Sequence, residues 1–241
     1  MSNENQVKHW HVTYNNIHNL IRKNCPKIAV DFNPDLLVAI GMSSSPFNCH
    51  RIRINQVLSF PMKAEGQGFF PARVMRTFLR EATTKKTLQI QAIGLSLYEP
   101  VEGVAEEKIA EEVIRTQWLG AEAGKMLLGK RVLIVDEVDD TRKTLSYALT
   151  ELKRDVETEL LNRPEADRDA LRASTKFGIF VVHNKNKPKL AELPEGTTYY
   201  SGEEVDDVWL DYPWESTDIE EHDRLAALDV GNAAAATKKD V

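Results

Sequence analysis

The chain has 241 residues, 42% hydrophobic and 28% charged, enough for one large domain or two small ones with a real core. Its 31 Lys+Arg against 37 Asp+Glu give a formal net charge of −6, which argues against a nucleic-acid partner or an anionic membrane surface. Cys25 and Cys49 are the only cysteines, no apolar run is long enough to span a membrane, and the polar N-terminus lacks a secretory signal. No disulfide scaffold and no zinc site are therefore expected, and the setting expected is reduced and cytoplasmic.

Residues 1–10 are polar. From Thr13 to Ile28 apolar residues recur at roughly helical spacing (Tyr14, Ile17, Leu20, Ile21), which predicts a helix. Leu36–Ile40, ending at Gly41, reads as a strand buried on both faces, as in a parallel sheet. Phe70–Leu79 reads as a helix, with Pro71 placed for its first turn. Leu88–Leu97 is a second strand, and the acidic stretch Pro100–Glu112 is a mobile loop or a solvated face. Arg131–Val135 is a third strand and Thr144–Leu152 a helix; Arg154–Arg172 extends that helix or forms a surface loop. Phe177–Val182 is a fourth strand, and residues 233–241 are expected to be a disordered tail. Strands alternating with helices predict an α/β fold with a mainly parallel sheet. Ligands of such sheets sit at the carboxyl ends of the strands.

The third strand ends in Asp136-Glu137, followed by Val138-Asp139-Asp140 and then Thr141-Arg142-Lys143-Thr144 opening a helix. Carboxylates at a strand end accept hydrogen bonds from vicinal hydroxyls or hold Mg²⁺, directly or through water. Threonine hydroxyls and a helix N-terminus suit a phosphate monoester. Together they fit a sugar phosphate. The plainer reading is a solvated acidic turn with an ordinary threonine cap. Four carboxylates in five positions repel one another unless a cation or donor compensates, which favours a ligand.

The run from Val132 to Thr144 resembles the thirteen-residue phosphoribosyl pyrophosphate signature of the type I phosphoribosyltransferases. Tyr14-Asn15-Asn16-Ile17-His18, Phe70-Pro71-Ala72-Arg73, Leu95–Glu99, Arg115–Trp118 and Tyr212–Glu215 resemble fungal members that act on xanthine, hypoxanthine and guanine. Ile90–Leu95, His183–Lys185 and Asp218–His222 lean towards the xanthine-directed ones. The likeness covers about Tyr14 to Asp229, with residues 1–232 as a single phosphoribosyltransferase domain. It implies a mainly parallel sheet flanked by helices with a small base-binding hood. It also implies Mg²⁺-dependent transfer of phosphoribose to a 6-oxopurine, giving a nucleoside monophosphate and pyrophosphate, in a homodimer.

By that resemblance Asp136 and Glu137 bind the ribose hydroxyls, and Mg²⁺ directly or through water. Asp140 is the general acid/base near purine N7, and Thr141, Arg142, Lys143 and Thr144 cradle the 5′-phosphate. Arg142 stands where many members have glycine, which implies that the turn needs no positive φ there; Lys143 reads equally as a solvated lysine. Trp209 stacks on the base, the Leu210 backbone meets its edge, and Glu215 lies near the purine 2-substituent. Trp214 is expected to be a core or interface aromatic. Lys185, with Lys187 as second choice, donates to the 6-oxo group, which disfavours adenine because an amino group would face a second donor. His183 reads as structural. Ser96, Tyr98 and the loop to Gln117 match a flexible lid that excludes water, or an inert loop.

The loop that should hold pyrophosphate is interrupted. Gly41 is followed by 24 residues, Met42–Glu65, without likeness to the family; removing them joins Gly41 to Gly66-Gln67-Gly68 and restores the expected glycine-rich turn. Two readings are open: a surface insertion, or a translated in-frame intron, which is preferred. Either way such an insertion is expected to separate Gly41 from Gly66 and spoil the cradle; Cys49 and His50 inside it receive no role.

Two other functions compete. One is a non-catalytic sensor of phosphoribosyl pyrophosphate or a nucleotide with the same fold. The acidic balance and the absence of a recognisable DNA-binding helix pair count against it. The other is a phosphoacceptor receiver domain. About 130 residues precede the acidic strand end here, whereas receiver domains carry theirs after the first strand.

Overall fold

The structure, a computed structural model, describes residues 8–41, 67–83, 87–98 and 112–237. The chain runs β1 (His9–His11), α1 (Tyr14–Asp31), β2 (Leu36–Gly41), α2 (Phe69–Ala82) and β3 (Gln89–Tyr98). It continues through β4 (Glu112–Gln117), α3 (Ala123–Leu127), β5 (Arg131–Asp139), α4 (Lys143–Leu161) and α5 (Glu165–Ser174). Strands β6 (Lys176–Lys185), β7 (Thr198–Val205) and β8 (Trp209–Asp211) and helix α6 (Ile219–Thr237) complete it.

Strands β2, β5 and β6 are apolar at successive positions because both of their faces are covered. Leu37, Ala39, Leu133, Val135, Phe180 and Val182 face α1 and α2 in one core. Leu36, Val38, Ile40, Val132, Ile134, Ile179 and Val181 face α4 in the other. The six-stranded sheet has the order β4-β3-β2-β5-β6-β7. Every neighbouring pair is parallel except β3–β4, so the sheet is mainly parallel as the sequence predicts. The chain passes from β2 outward to β3 and β4, then returns to β5 on the other side of β2. That reversal puts the topological switch between the carboxyl ends of β2 and β5, the favoured place for a ligand.

Helix α1 opens on a reciprocal cap. Asn16 N–H donates to the Thr13 hydroxyl at 3.2 Å and the Asn16 side chain accepts from Thr13 N–H at 3.0 Å. On its inner face Cys25 is fully buried, with its thiol pushed up to about 12 by burial.

Several expectations are corrected. The polar N-terminus contributes a strand: β1 pairs in parallel with β8, Trp10 opposite Leu210, in a separate two-stranded sheet. Its partner is some 200 residues away, so local sequence carries no sign of it. The stretch leading to Gln117 holds β4, an edge strand paired antiparallel to β3. Arg154–Arg172 is both an extension and a second helix, since α4 runs to Leu161 and α5 follows. Helix α6 continues to Thr237, five residues into the stretch expected to be disordered. Residues 238–241, the acidic stretch up to 111 and residues 42–66 lie outside the described residues.

Candidate active site

The acidic turn leaves the sheet at the end of β5. Asp136, Glu137, Asp139 and Asp140 are all buried, so each carboxylate needs compensation. Asp139 is compensated from three sides. Its side chain receives Arg142 Nε at 2.9 Å and the Tyr199 hydroxyl at 2.8 Å, and Lys189 Nζ lies 3.5 Å away. Burial and the Asp139 charge push the Tyr199 hydroxyl far above its ordinary value, so it stays a donor. Lys189 also donates to the Asp139, Asp140 and Lys185 carbonyls at 2.6, 3.1 and 2.9 Å, tying the turn to the end of β6. No sequence signal distinguishes Asp139, Lys189 or Tyr199; the last two approach the turn from 50 and 60 residues along the chain.

Arg142 overturns one expectation. It sits at φ +70°, in the left-handed region, immediately before α4. Glycine would adopt this without strain; a residue with a Cβ pays roughly 1 kcal/mol. The arginine compensates through its side chain: the guanidinium bonds Asp139 and lies over the Tyr199 ring, 5.1 Å from its centroid. The turn therefore keeps the glycine-like backbone. Thr141, Arg142 and Thr144 line a small cleft with Asp136, Asp139 and Asp140, and Lys143 opens α4. A helix N-terminus facing such a cleft suits an anion.

The resumed glycine segment docks on this turn. Gly68 N–H donates to the Ile40 carbonyl at 2.7 Å, and Gln67 N–H donates to the Glu137 carboxylate. Only glycine fits at 68: a Cβ there would overlap the Val135 carbonyl oxygen. Gly68 thus returns directly to the end of β2 at Ile40, next to Gly41 in sequence. Gly66 lies outside the described residues.

The lysines after β6 meet the turn from the other side. Lys187 Nζ is 2.6 Å from Asp140 Oδ1 and 3.1 Å from Asp207; Lys185 Nζ is 3.6 and 3.7 Å from the same two groups. Burial alone would lower the Lys187 pKa, but the two carboxylates more than offset it and the ammonium is held above its ordinary value. Both candidate lysines therefore reach Asp140, with Lys187 the nearer.

The small sheet carries the third group of residues. Trp209 begins β8, half-buried, its ring 6.2 Å from that of His9, and Leu210 is buried beneath it. Trp214 stacks between Tyr212 and Phe70 at 4.9 and 5.3 Å, which makes it a packing aromatic, as expected. Glu215 reaches solvent at the rim and accepts from the Gln67 side chain at 2.7 Å. Burial of its inner flank, then the nearby charges of Glu137 and Asp211, push its carboxyl up to about 7. Ser96 and Tyr98 lie in the last residues of β3; the rest of the expected lid, 99–111, is outside the described residues. One end of the sheet thus gathers acids, a helix N-terminus, lysines and an aromatic strand.

The sequence has curated relatives over nearly its whole length. It is 44% identical over 223 residues to a hypoxanthine-guanine phosphoribosyltransferase of Schizosaccharomyces pombe, covering 89% of this chain and 93% of the relative. It is 41% identical over 229 residues to xanthine phosphoribosyltransferase 1 of Saccharomyces cerevisiae, covering 90% and 94%. Among solved structures, a hypothetical protein from Neisseria gonorrhoeae with bound ppGpp aligns with a TM-score of 0.65 at 32% identity, over 94% of this chain and 99% of that one. No family model matches the chain.

Proposed function

The chain belongs to the purine phosphoribosyltransferases, and on that premise we propose that it salvages 6-oxopurines: xanthine, hypoxanthine or guanine reacts with phosphoribosyl pyrophosphate to give the 5′-monophosphate and pyrophosphate. The observation that carries this reading is the meeting of Lys187 and Lys185 with Asp140, at 2.6 and 3.6 Å. A donor for a 6-oxo group and a carboxylate for the adjacent N7 belong side by side on one purine edge. The ppGpp bound to the Neisseria gonorrhoeae protein is consistent with a phosphorylated purine ligand in this fold.

In this reading Asp136 and Glu137 take the ribose hydroxyls, and Thr141, Arg142, Lys143 and Thr144 take the 5′-phosphate at the start of α4. Gly41 and Gly66 border the pyrophosphate. Trp209 stacks on the base, Leu210 meets its edge through backbone groups, and Glu215 faces the 2-substituent. Asp140 moves the N7 proton as the bond to ribose C1 forms. Ser96 and Tyr98 belong to the lid.

Among the described residues no group of three or more ligating side chains could hold a metal by itself. The donors present, two adjacent carboxylates at a strand end, suit an Mg²⁺ ion that brings its remaining ligands with the phosphorylated substrate. Asp136 and Glu137 would hold it, and it would neutralise the departing pyrophosphate. We place the protein in the cytoplasm as a homodimer, with no nucleic-acid or membrane partner; no described helix is long and apolar enough to cross a membrane.

Residues 42–65 are read as a translated intron, a reading that fails if mature transcripts contain the segment. The decisive assay compares the chain as given with one lacking Met42–Glu65, each offered phosphoribosyl pyrophosphate, Mg²⁺ and one purine. Mononucleotide is expected from xanthine, guanine or hypoxanthine and not from adenine. If the shortened chain makes none from any 6-oxopurine while still binding phosphoribosyl pyrophosphate, the sensor reading replaces this one.

A further inference from the structure

His183 is a fully buried titratable group that the reaction above does not use. It lies on β6, two residues before Lys185. Its Nδ1 is 2.8 Å from the Tyr212 hydroxyl, and that hydroxyl donates to the Glu137 backbone carbonyl at 3.1 Å. A hydroxyl has one proton to give. Since the carbonyl can only accept, the imidazole must supply the proton of the first bond, which fixes the Nδ1–H tautomer. Nε2 then carries a lone pair and has no hydrogen-bond partner among the described residues, and the Trp10 ring of β1 packs edge-on at 5.5 Å. Burial lowers the imidazole to about 4, so the ring is neutral wherever the protein is folded near neutrality. Tyr212 is itself buried, stacked on Trp214, and its hydroxyl is held well above its ordinary value by burial and then by the charges of Glu137 and Asp136.

Three segments meet at this chain of two hydrogen bonds. Glu137 belongs to the acidic turn, His183 to the strand that delivers Lys185, and Tyr212 to the segment between Trp209 and Glu215. We propose that His183 and Tyr212 are positioning residues that hold the base-binding segment in register over the phosphoribose acids, and so set affinity for the purine without touching either substrate. The proposal rests on the salvage reading for its consequence in catalysis. The physical argument is that buried polar groups tolerate only satisfied geometries. If the hood shifts, Glu137's carbonyl and the imidazole N–H lose their shared partner, so the hood has one favoured position.

The test uses Tyr212→Phe, which removes both bonds, with His183→Phe and His183→Asn, the last keeping an amide donor where Nδ1–H stood. Binding is measured separately for phosphoribosyl pyrophosphate, which occupies only the acidic side, and for guanosine monophosphate, which spans both. Loss of one buried hydrogen bond corresponds to roughly tenfold in affinity. Tyr212→Phe and His183→Phe are expected to weaken guanosine monophosphate by about that factor and to raise the KM for the purine similarly, with phosphoribosyl pyrophosphate changed less than about twofold. His183→Asn is expected to recover most of the loss. A purely structural role predicts a lower melting temperature with unchanged affinities, or equal weakening of both ligands, and either result overturns the proposal.

Amide exchange over residues 207–215 supplies a reading that needs no ligand. Tyr212→Phe and His183→Phe should speed exchange there, with His183→Asn nearer the unsubstituted protein, while β2 and β5 stay protected. Unchanged exchange in all three variants also overturns the proposal. Failure of both the chain as given and the form lacking Met42–Glu65 to transfer phosphoribose to any 6-oxopurine sinks the salvage reading instead, and leaves the exchange result to decide on the register.

Discussion

Arg142 shows how one side chain can take over a backbone role usually left to glycine. Its φ of +70° is offset by the ion pair with Asp139 and the face of Tyr199. Arg142→Gly therefore relieves at most about 1 kcal/mol of backbone strain and leaves a buried carboxylate short of a partner, a loss of roughly 1–3 kcal/mol. The melting temperature is expected to fall by several degrees; an equal or higher value contradicts this account. Asp140→Asn tests the chemistry. It removes a proton acceptor while keeping shape, so kcat should drop by about 10²–10⁴ with little change in phosphoribosyl pyrophosphate affinity. Unchanged turnover would remove Asp140 from the mechanism.

Glu215 gives a pH signature. Its carboxyl is raised from 4.5 to about 7, so between these values the folded protein holds a proton that the unfolded chain has lost. Its contribution to stability is complete below about pH 4.5 and is lost as pH rises through about 7. Glu215→Gln is neutral throughout and should be the more stable form at pH 8, with the difference shrinking at pH 5. His183 acts with the opposite slope. Its folded value of about 4 lies below 6.5, so stability falls as the pH drops from 6.5 towards 4, and His183→Asn should flatten that limb. Thermal melts of both variants across pH 4–8 resolve the two contributions.

At the scale of elements, the strands that carry the acids were readable because each reports its own environment. Unbroken apolar runs mean two covered faces, and the residues where such a run stops must meet either solvent or a ligand. Asp136, Glu137 and Asp140 follow one such run directly. What escaped the sequence is whatever depends on distant pairing. Within the acidic turn nothing separates Asp139, held structurally by Tyr199 and Lys189, from its neighbours. Strand β1 is three residues long and exists because β8 accepts it. That short strand is anchored by histidines: His9 Nδ1 meets Asp211 at 2.7 Å, and His11 meets Asp229 of α6 through both its ring and its backbone N–H at 2.9 Å. Burial raises the Asp229 carboxyl, but the bonds from His11 more than reverse this and hold it below 3.8. Asp229→Asn keeps the shape and removes the charge. It should loosen the hold of α6 on β1 and raise the KM for the purine several-fold through Trp209, with phosphoribosyl pyrophosphate affinity intact. A variant whose two substrates weaken alike would point to general unfolding instead.

For the molecule as a whole, the question raised by residues 42–65 becomes one of chain entropy. The Ile40 carbonyl and the Gly68 amide meet at 2.7 Å with 27 residues between them; without the segment there would be three. A ninefold shorter loop lowers the closure entropy by about 2 kcal/mol on the logarithmic scale. The sheet and both cores lie elsewhere, so the shortened protein is expected to keep its fold and melt a few degrees higher. A lower melting temperature would show that the segment supplies contacts the enzyme needs. The same framework makes Gly68 intolerant: Gly68→Ala drives a methyl into the Val135 carbonyl and should yield little folded protein.

The burial of Cys25 turns the first core into its own clock. A thiol raised to about 12 and fully enclosed presents almost no thiolate to an alkylating reagent while α1 stays seated on the sheet. In a Cys49→Ser background, every modification event must be preceded by an opening of that layer. The rate of mass gain with iodoacetamide then counts openings one by one. Its slowing under saturating purine nucleotide would measure how strongly the occupied site, at the carboxyl ends of the same sheet's strands, holds the helix layer shut.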